Sequence, residues 1–320
     1  MKNENYKTNK YKISKYKPRK YTIDKCLYKN DSISIYKALY CDQHVIIKHE
    51  THDLTLTKQK SIIKNEHKVL EHLREIDNIP KIIDSYSDCI NNYIVMNYLG
   101  KDLDEILLYK KKFSLGFCAF FMTEGLSILQ NIHNQNIFHC DIKPSNFIFN
   151  KKEYKIYLID FSVAQPEQKC AYTLIGTPKF CSHHCHEHIP YAYRDDLISL
   201  GYVMLYFFLG FLPWQKSQLL EVSEPSYLHK IKNKKNELLD FLNNYKKQEI
   251  PEEIIIYFNY CFSLKPKCEI DYNMLCSLFI RIIKQCDYDK NALQADMNLE
   301  NQTNSNSDNN EDDDNIISAV

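Results

Sequence analysis

Apolar and polar positions follow a two-residue period in the first hundred residues and a helical period afterwards. Ser32-Ile-Ser-Ile-Tyr36 alternates, and His44-Val-Ile-Ile-Lys48 is a short apolar run ending on a lysine, so both predict strands. Gln59–Glu75 predicts a helix with Ile62, Ile63, His67, Leu70 and Leu73 on one face. Tyr93–Met96 predicts another strand, and Asn97–Gly100 a connector. Ser114–His133 predicts an amphipathic helix with Ser114 at its N-cap. Two short strands, Phe147–Phe149 and Ile156–Ile159, flank polar turns. Leu197–Phe211, Leu228–Tyr245, Glu252–Phe262 and Tyr272–Gln285 predict four further helices. The fold class expected is α+β, with a small β-rich N-terminal lobe and a large, mainly helical C-terminal lobe.

Charge sharpens the boundaries. Lys+Arg and Asp+Glu both number 41, but residues 1–20 hold eight basic residues and one Glu. Residues 301–320 hold five acidic residues and no basic one. The expected organisation is a basic flexible arm over 1–20, a folded region over 21–286, and an acidic, Asn-rich disordered tail over 287–320. The zero balance gives no reason to expect direct nucleic-acid binding. Twelve cysteines in 320 residues are too few for a disulfide scaffold, and no apolar leader opens the chain. An intracellular setting, cytoplasmic and/or nuclear, with free thiols is expected. Leu197–Trp214 runs 18 residues without a charge. It is read as a buried helix rather than a membrane span.

Only six glycines occur, the first at Gly100, which excludes a glycine-rich phosphate loop in the first third. Phosphate chemistry nevertheless has a strong signal elsewhere. His139-Cys-Asp-Ile-Lys-Pro-Ser-Asn146 precedes Asp160-Phe161. Phosphoryl transfer needs a carboxylate to orient a hydroxyl, a cation on the γ-phosphate and hard oxygen ligands for magnesium. Asp141, Lys143 and the pair Asn146 and Asp160 have those chemistries in that order. Lys48 at a strand end and Glu66 on the next helix supply an ion pair for the α/β-phosphates.

With these motifs the chain resembles a protein kinase over roughly residues 21–285, and is most similar to the casein kinase I family. Asp141-Ile-Lys-Pro-Ser-Asn-Phe147, Arg194-Asp-Asp-Leu-Ile-Ser-Leu-Gly-Tyr202 and Leu212-Pro-Trp-Gln215 carry that resemblance. So does Gly176-Thr-Pro-Lys-Phe-Cys-Ser-His-His-Cys-His186, which stands where kinases usually have Ala-Pro-Glu. The related vaccinia-related kinase group fits Asp160-Phe161 and Asp195-Asp196 less well. The resemblance implies a bilobal kinase fold, with an N-lobe over about 21–97 and a C-lobe over about 100–286. It implies ATP and Mg2+ as cofactors and Ser/Thr side chains of proteins as substrates, for a monomer acting away from membranes. By the same resemblance Asp141 is the catalytic base, Lys143 contacts the γ-phosphate, and Thr177 bonds the Asp141–Lys143 pair. Asn146 and Asp160 bind magnesium, and Lys48 pairs with Glu66. Met96 guards the back of the adenine pocket, the Leu99 backbone meets the adenine edge, and Ile46 and Ile148 sandwich the ring. Asp196 ties the central helix to the catalytic loop.

Four departures qualify this picture. Tyr28, Asn30 and Ile33 occupy the three glycine positions of the phosphate loop, so ATP is expected to be held more weakly or differently. Cys140 replaces the arginine before the catalytic Asp, and a thiol cannot pair with a phosphorylated activation segment. Ser162 replaces the glycine after Phe161. Lys179 keeps one member of the family's anion pocket, but Leu220-Glu-Val-Ser-Glu-Pro225 is acidic where the family is basic. Cys181-Ser-His-His-Cys-His-Glu-His188 has zinc-ligand residue types, yet lacks a second pair at finger spacing and reads as a loop with free thiols. The alternative function is a catalytically weak or dead pseudokinase that serves as a binding or regulatory module.

Overall fold

The computed structural model describes residues 21–51, 61–167, 175–187, 189–215, 225–246 and 249–297. The basic arm at 1–20, the start of the helix expected from Gln59, most of the acidic segment 220–225 and residues 298–320 of the expected tail lie outside the described residues. In chain order the strands are β1 (Thr22–Lys29), β2 (Ile33–Tyr40), β3 (Gln43–Thr51), β4 (Ile82–Ser87), β5 (Asn91–Asn97), β6 (Ile137–Phe138), β7 (Phe147–Asn150), β8 (Lys155–Leu158) and β9 (Gln165–Pro166). The helices are α1 (Ile62–His72), α2 (Leu103–Lys110), α3 (Leu115–His133), α4 (Tyr193–Leu209), α5 (Pro225–Asn236), α6 (Leu238–Asn243), α7 (Glu252–Ser263), α8 (Tyr272–Gln285) and α9 (Lys290–Met297).

The N-terminal lobe is a five-stranded antiparallel sheet in the order β1-β2-β3-β5-β4, with α1 against it. Alternation along β3 sends Ile46, Lys48 and Glu50 to one face. Buried Glu50 accepts from the Ile62 amide at 2.9 Å and from the Ser61 hydroxyl, so its charge sits at the positive end of α1. The Ser61 side chain caps the same end by accepting from the Lys64 amide at 3.0 Å. One strand therefore fixes where α1 begins, and with it the position of Glu66 one turn later.

The C-terminal lobe is built around α3 and α4. Ser114 is the N-cap of α3, accepting from the Phe117 amide at 3.0 Å. Where α3 meets α4, a Cβ on Gly125 would lie 2.9 Å from a terminal methyl of Leu200, so the glycine lets the two helices pack without displacing that side chain. Phe113, Phe117, Phe121 and Phe207 form a continuous aromatic cluster that reaches Phe147 at the start of β7, with ring centroids 4.8 Å apart for the last pair. Each fully buried ring contributes about 1.5–3 kcal/mol of transfer free energy. Residues 197–209 lie inside this lobe as most of α4, nearly all buried. Among the described residues, α3 is the one helix long and apolar enough to cross a bilayer, and it too is mostly buried.

Two expectations need correction. The helix expected over Leu228–Tyr245 is two, α5 and α6, broken at Glu237. Buried Ile231, Lys235, Leu238 and Leu242 keep helical spacing across the break, so the apolar period gives no sign of it. The packed structure also continues past Asp287, where a disordered tail was expected. In α9, Leu293 and Met297 are buried, and Asp296 accepts from Ser114 and, at 2.8 Å, from the Tyr288 hydroxyl. A polar composition conceals this short apolar stripe.

Candidate active site

The sheet and the C-terminal lobe enclose a cleft with a cavity volume of about 240 Å³. Leu27, Ile35 and Ile46 line it from the sheet, Met96 and Leu99 from β5 and the connector, and Ile148 from β7. Lys48, Asn146 and Asp160, with Asn97, Asp102 and Ser145, supply its polar lining. An apolar slot with cationic and carboxylate groups beside it fits a flat heterocycle carrying phosphates.

Lys48 joins three elements. Its Nζ lies 2.7 and 2.8 Å from the two carboxylate oxygens of Glu66 and 2.9 Å from Oδ1 of Asp160. Burial alone would lower the Lys48 pKa, but Asp160 and Glu66 raise it above its ordinary value and keep it an ammonium. Burial pushes the Asp160 carboxyl up, and the Lys48 charge outweighs this and holds it well below the usual carboxylate range. The Phe161 amide donates to Glu66 at 3.3 Å, and the Phe161 ring is fully buried with its centroid 4.9 Å from that of His139. Asn65, one residue before Glu66, donates from Nδ2 to the carbonyls of Ser162 and Ala164, both at 3.0 Å. α1 thus fastens the segment after β8 at several points.

Asp141 is held on both oxygens. Oδ1 accepts from the Thr177 amide at 2.9 Å and the Thr177 hydroxyl at 2.8 Å. Oδ2 lies 2.9 Å from Lys143 Nζ. Asn146 donates from Nδ2 to the Asp141 carbonyl at 2.8 Å, which leaves its Oδ1 as the amide atom suited to a metal. With the Asp160 carboxylate this makes a pair of hard oxygen donors, the donor type magnesium takes. His139 is neutral: Nδ1 accepts from the Asp141 amide at 3.3 Å, Nε2 donates to the Ile159 carbonyl at 3.1 Å, and burial lowers its pKa.

The loop is braced from below by Asp196 on α4. Its carboxylate accepts from the His139 amide at 2.8 Å, the Cys140 amide at 3.0 Å, the Tyr191 hydroxyl at 2.6 Å and His133 Nε2 at 3.0 Å. Its neighbour Asp195 accepts from Ser182, from His184 at 3.0 Å and from the Ala192 amide at 2.7 Å, which anchors the segment after Thr177. Three residues here have left-handed backbones: Cys140 at φ 69°, Asp160 at φ 66° and Gly176 at φ 85°. A Cβ on Gly176 would lie 2.4 Å from the Cys140 carbonyl, so only glycine fits beside Thr177. Local cost of this kind, about 1–3 kcal/mol for a non-glycine residue, gathers at functional sites.

A model of the protein kinase domain matches residues 33–276. The chain belongs to the protein kinase domain family. A kinase domain implies phosphoryl transfer with ATP and Mg2+, on protein substrates, and the β-sheet N-terminal lobe with a helical C-terminal part is its architecture. The kinase cleft brings together Lys48, Glu66 and Asp160 in one group and Asp141, Lys143, Asn146 and Thr177 in another, with Ile46, Met96, Leu99 and Ile148 along the apolar walls. Sequence reasoning missed Leu27 and Ile35 as lining residues, although the alternation in β2 marks the Ile33–Ile35 face. It also missed Asn65, for which no local pattern exists. Ser162 needs no glycine-like backbone, since Asp160 carries the positive φ. Among the described residues no group of three or more His, Cys, Asp and Glu is placed to hold a metal; His188 of the Cys181–His188 run lies outside them.

Proposed function

We propose that the chain is a Ser/Thr protein kinase of casein kinase I type, moving the γ-phosphate of Mg·ATP to Ser or Thr hydroxyls of proteins. The observation that carries this is Asp141, held on Oδ1 by both donors of Thr177 and paired on Oδ2 with Lys143. A carboxylate so fixed can orient a substrate hydroxyl and take its proton, worth about 10²–10⁴-fold in rate. Lys143 balances charge on the transferring group. Lys48, steadied by Glu66, contacts the α/β-phosphates. Asn146 and Asp160 would hold magnesium, which supplies neutralisation of phosphate charge when bound. Ile46 and Ile148 would sandwich the adenine, with Met96 behind it and the Leu99 backbone at its edge.

The casein kinase I assignment is supported by Arg194–Tyr202, by Leu212–Gln215, and by Ser182 and His184 bonding Asp195 in place of an Ala-Pro-Glu anchor. A second reading, a pseudokinase acting as a binding module, is favoured by the glycine-free hairpin between β1 and β2. The retained Lys48–Glu66–Asp160 group argues against it, since burying charged groups carries a desolvation cost that a pure scaffold has no need to bear. Radiolabelled phosphate transfer to casein and to the protein itself, at millimolar ATP with Asp141→Asn in parallel, separates the two. Transfer by the wild type and none by the variant supports the kinase. No transfer above the variant, from folded protein on a broad substrate panel, leaves the binding module.

A further inference from the structure

The hairpin between β1 and β2 overhangs the cleft. Leu27 and Ile35 line the cavity, and Ile35 stands opposite Lys48 in the β2–β3 ladder. The tip, Asn30-Asp31-Ser32, therefore extends past Lys48, toward the end of the cleft where phosphates would lie. In a glycine-rich loop the tip amides point free because no side chain competes for them. Here a side chain competes. Asn30 Oδ1 accepts from the Ser32 amide at 3.0 Å and from the Ile33 amide at 2.7 Å. Its Nδ2 donates to the Tyr28 hydroxyl at 3.0 Å, and the Asn30 amide donates to the Ile33 carbonyl at 2.9 Å. The Thr51 amide fastens the Ser32 carbonyl to the end of β3 at 2.8 Å. No residue from Tyr28 to Ile33 has a positive φ, so the turn closes without the backbone freedom glycine provides.

We propose that Asn30 is a positioning residue that caps the hairpin from within and withholds the Ser32 and Ile33 amides from the phosphates of the nucleotide. The proposal rests on the cleft being the Mg·ATP site. It assigns the phosphate grip to Lys48, Lys143 and the magnesium that Asn146 and Asp160 would hold, and it makes the hairpin an apolar roof that contributes Leu27 and Ile35 but few phosphate contacts. A phosphate that recruited the two amides would first have to break the bonds they make to Asn30. The chain therefore gains less affinity from the phosphates than a free-amide loop would, while adenosine, which touches only the apolar walls, is unaffected.

The test compares wild type, Asn30→Gly and Asn30→Asp by titration calorimetry with Mg·ATP and with adenosine. Asn30→Gly is expected to tighten Mg·ATP by about tenfold, two competing hydrogen bonds being removed, and to leave adenosine binding unchanged. Asn30→Asp keeps an acceptor for both amides and adds a negative charge, so Mg·ATP weakens while adenosine again stays constant. Unchanged or weaker Mg·ATP binding in Asn30→Gly, with adenosine constant, overturns the proposal. Amide exchange at Ser32 and Ile33, measured without nucleotide, is the independent check. Protection in the wild type that is lost in Asn30→Gly supports the cap, and unprotected amides in the wild type overturn it whatever the nucleotide does. Failure of both ligands to bind any of the three proteins overturns the nucleotide-site reading, and the withholding role with it, even where the exchange pattern shows the cap.

Discussion

The buried Nζ of Lys235 lies 2.8 Å from the carbonyl oxygen of Pro178, next to Thr177, and it also donates to the Cys181 carbonyl. It approaches His186 Nε2 at 3.1 Å and stands 5.4 and 5.5 Å from the ring centroids of Tyr202 and Trp214. A lysine on α5 thus holds the segment that presents Thr177 to Asp141. Lys235→Met fills similar volume and leaves two carbonyls without their donor. A destabilisation of about 2–5 kcal/mol is expected. Urea unfolding measures it. Kinetics on protein substrate should show KM for the protein rising more than KM for ATP, because the loop and not the cleft is loosened.

Lys48 is the counter-charge for the fully buried Glu66 carboxylate and for the Asp160 carboxylate, whose side chain is 32% exposed. Lys48→Met leaves Glu66 and Asp160 uncompensated, with an expected stability loss of about 3–5 kcal/mol and loss of phosphoryl transfer. Adding Glu66→Gln removes one of the stranded charges. The double variant should regain part of the lost stability in thermal melts while remaining inactive.

Cys140 is buried, and its thiol faces the Phe138 carbonyl at 3.7 Å. Nothing at this position can pair with a phosphate on the activation segment. Activity should therefore be the same before and after phosphatase treatment, and after substitution of every activation-segment Ser and Thr except Thr177. A large loss in either experiment would show a phosphate receptor elsewhere.

His183 packs on the His184 ring at 3.9 Å between centroids and edge-on to Phe262 at 4.9 Å. Its Nδ1 has no partner among the described residues, and burial, with the charges of His184 and Arg194, pushes its pKa down to about 3. The unfolded chain takes up a proton near pH 6.5 that the folded chain refuses, so this group costs stability as pH falls below that value. The slope for one such group is about 1.4 kcal/mol per pH unit. His183→Phe should show a flatter fall in urea midpoint than wild type between pH 6.5 and pH 4.5.

Legibility followed the range of the interactions. Ser114 was identifiable as a cap, and Tyr272–Gln285 as a helix, because both rest on contacts within a few residues. The order of Lys48, Glu66, Asp141, Asn146 and Asp160 was readable because phosphoryl transfer imposes those residue types. The break at Glu237 was hidden, since the buried positions keep their period through it. α9 was hidden by its polar composition, its two buried residues being meaningful only against the surface of the α-helical lobe. Nothing local in the sequence sets Lys235 apart from Lys232 and Lys234 beside it. Its role depends on carbonyls 54 and 57 residues away in the chain. Asn30 was seen as a missing glycine; that its side chain takes over two amides follows only from the hairpin geometry.

The clasp that Asn65 and Glu66 put on Ser162, Ala164 and the Phe161 amide bears on inhibitor chemistry. An elongated compound that reaches past Met96 into the volume of the Phe161 ring must first expel that ring. Expulsion breaks three hydrogen bonds to α1, at about 1 kcal/mol each. That amounts to a loss of about two orders of magnitude in affinity. Compact molecules that span only Ile46, Ile148 and the connector meet no such penalty, so screening should favour them.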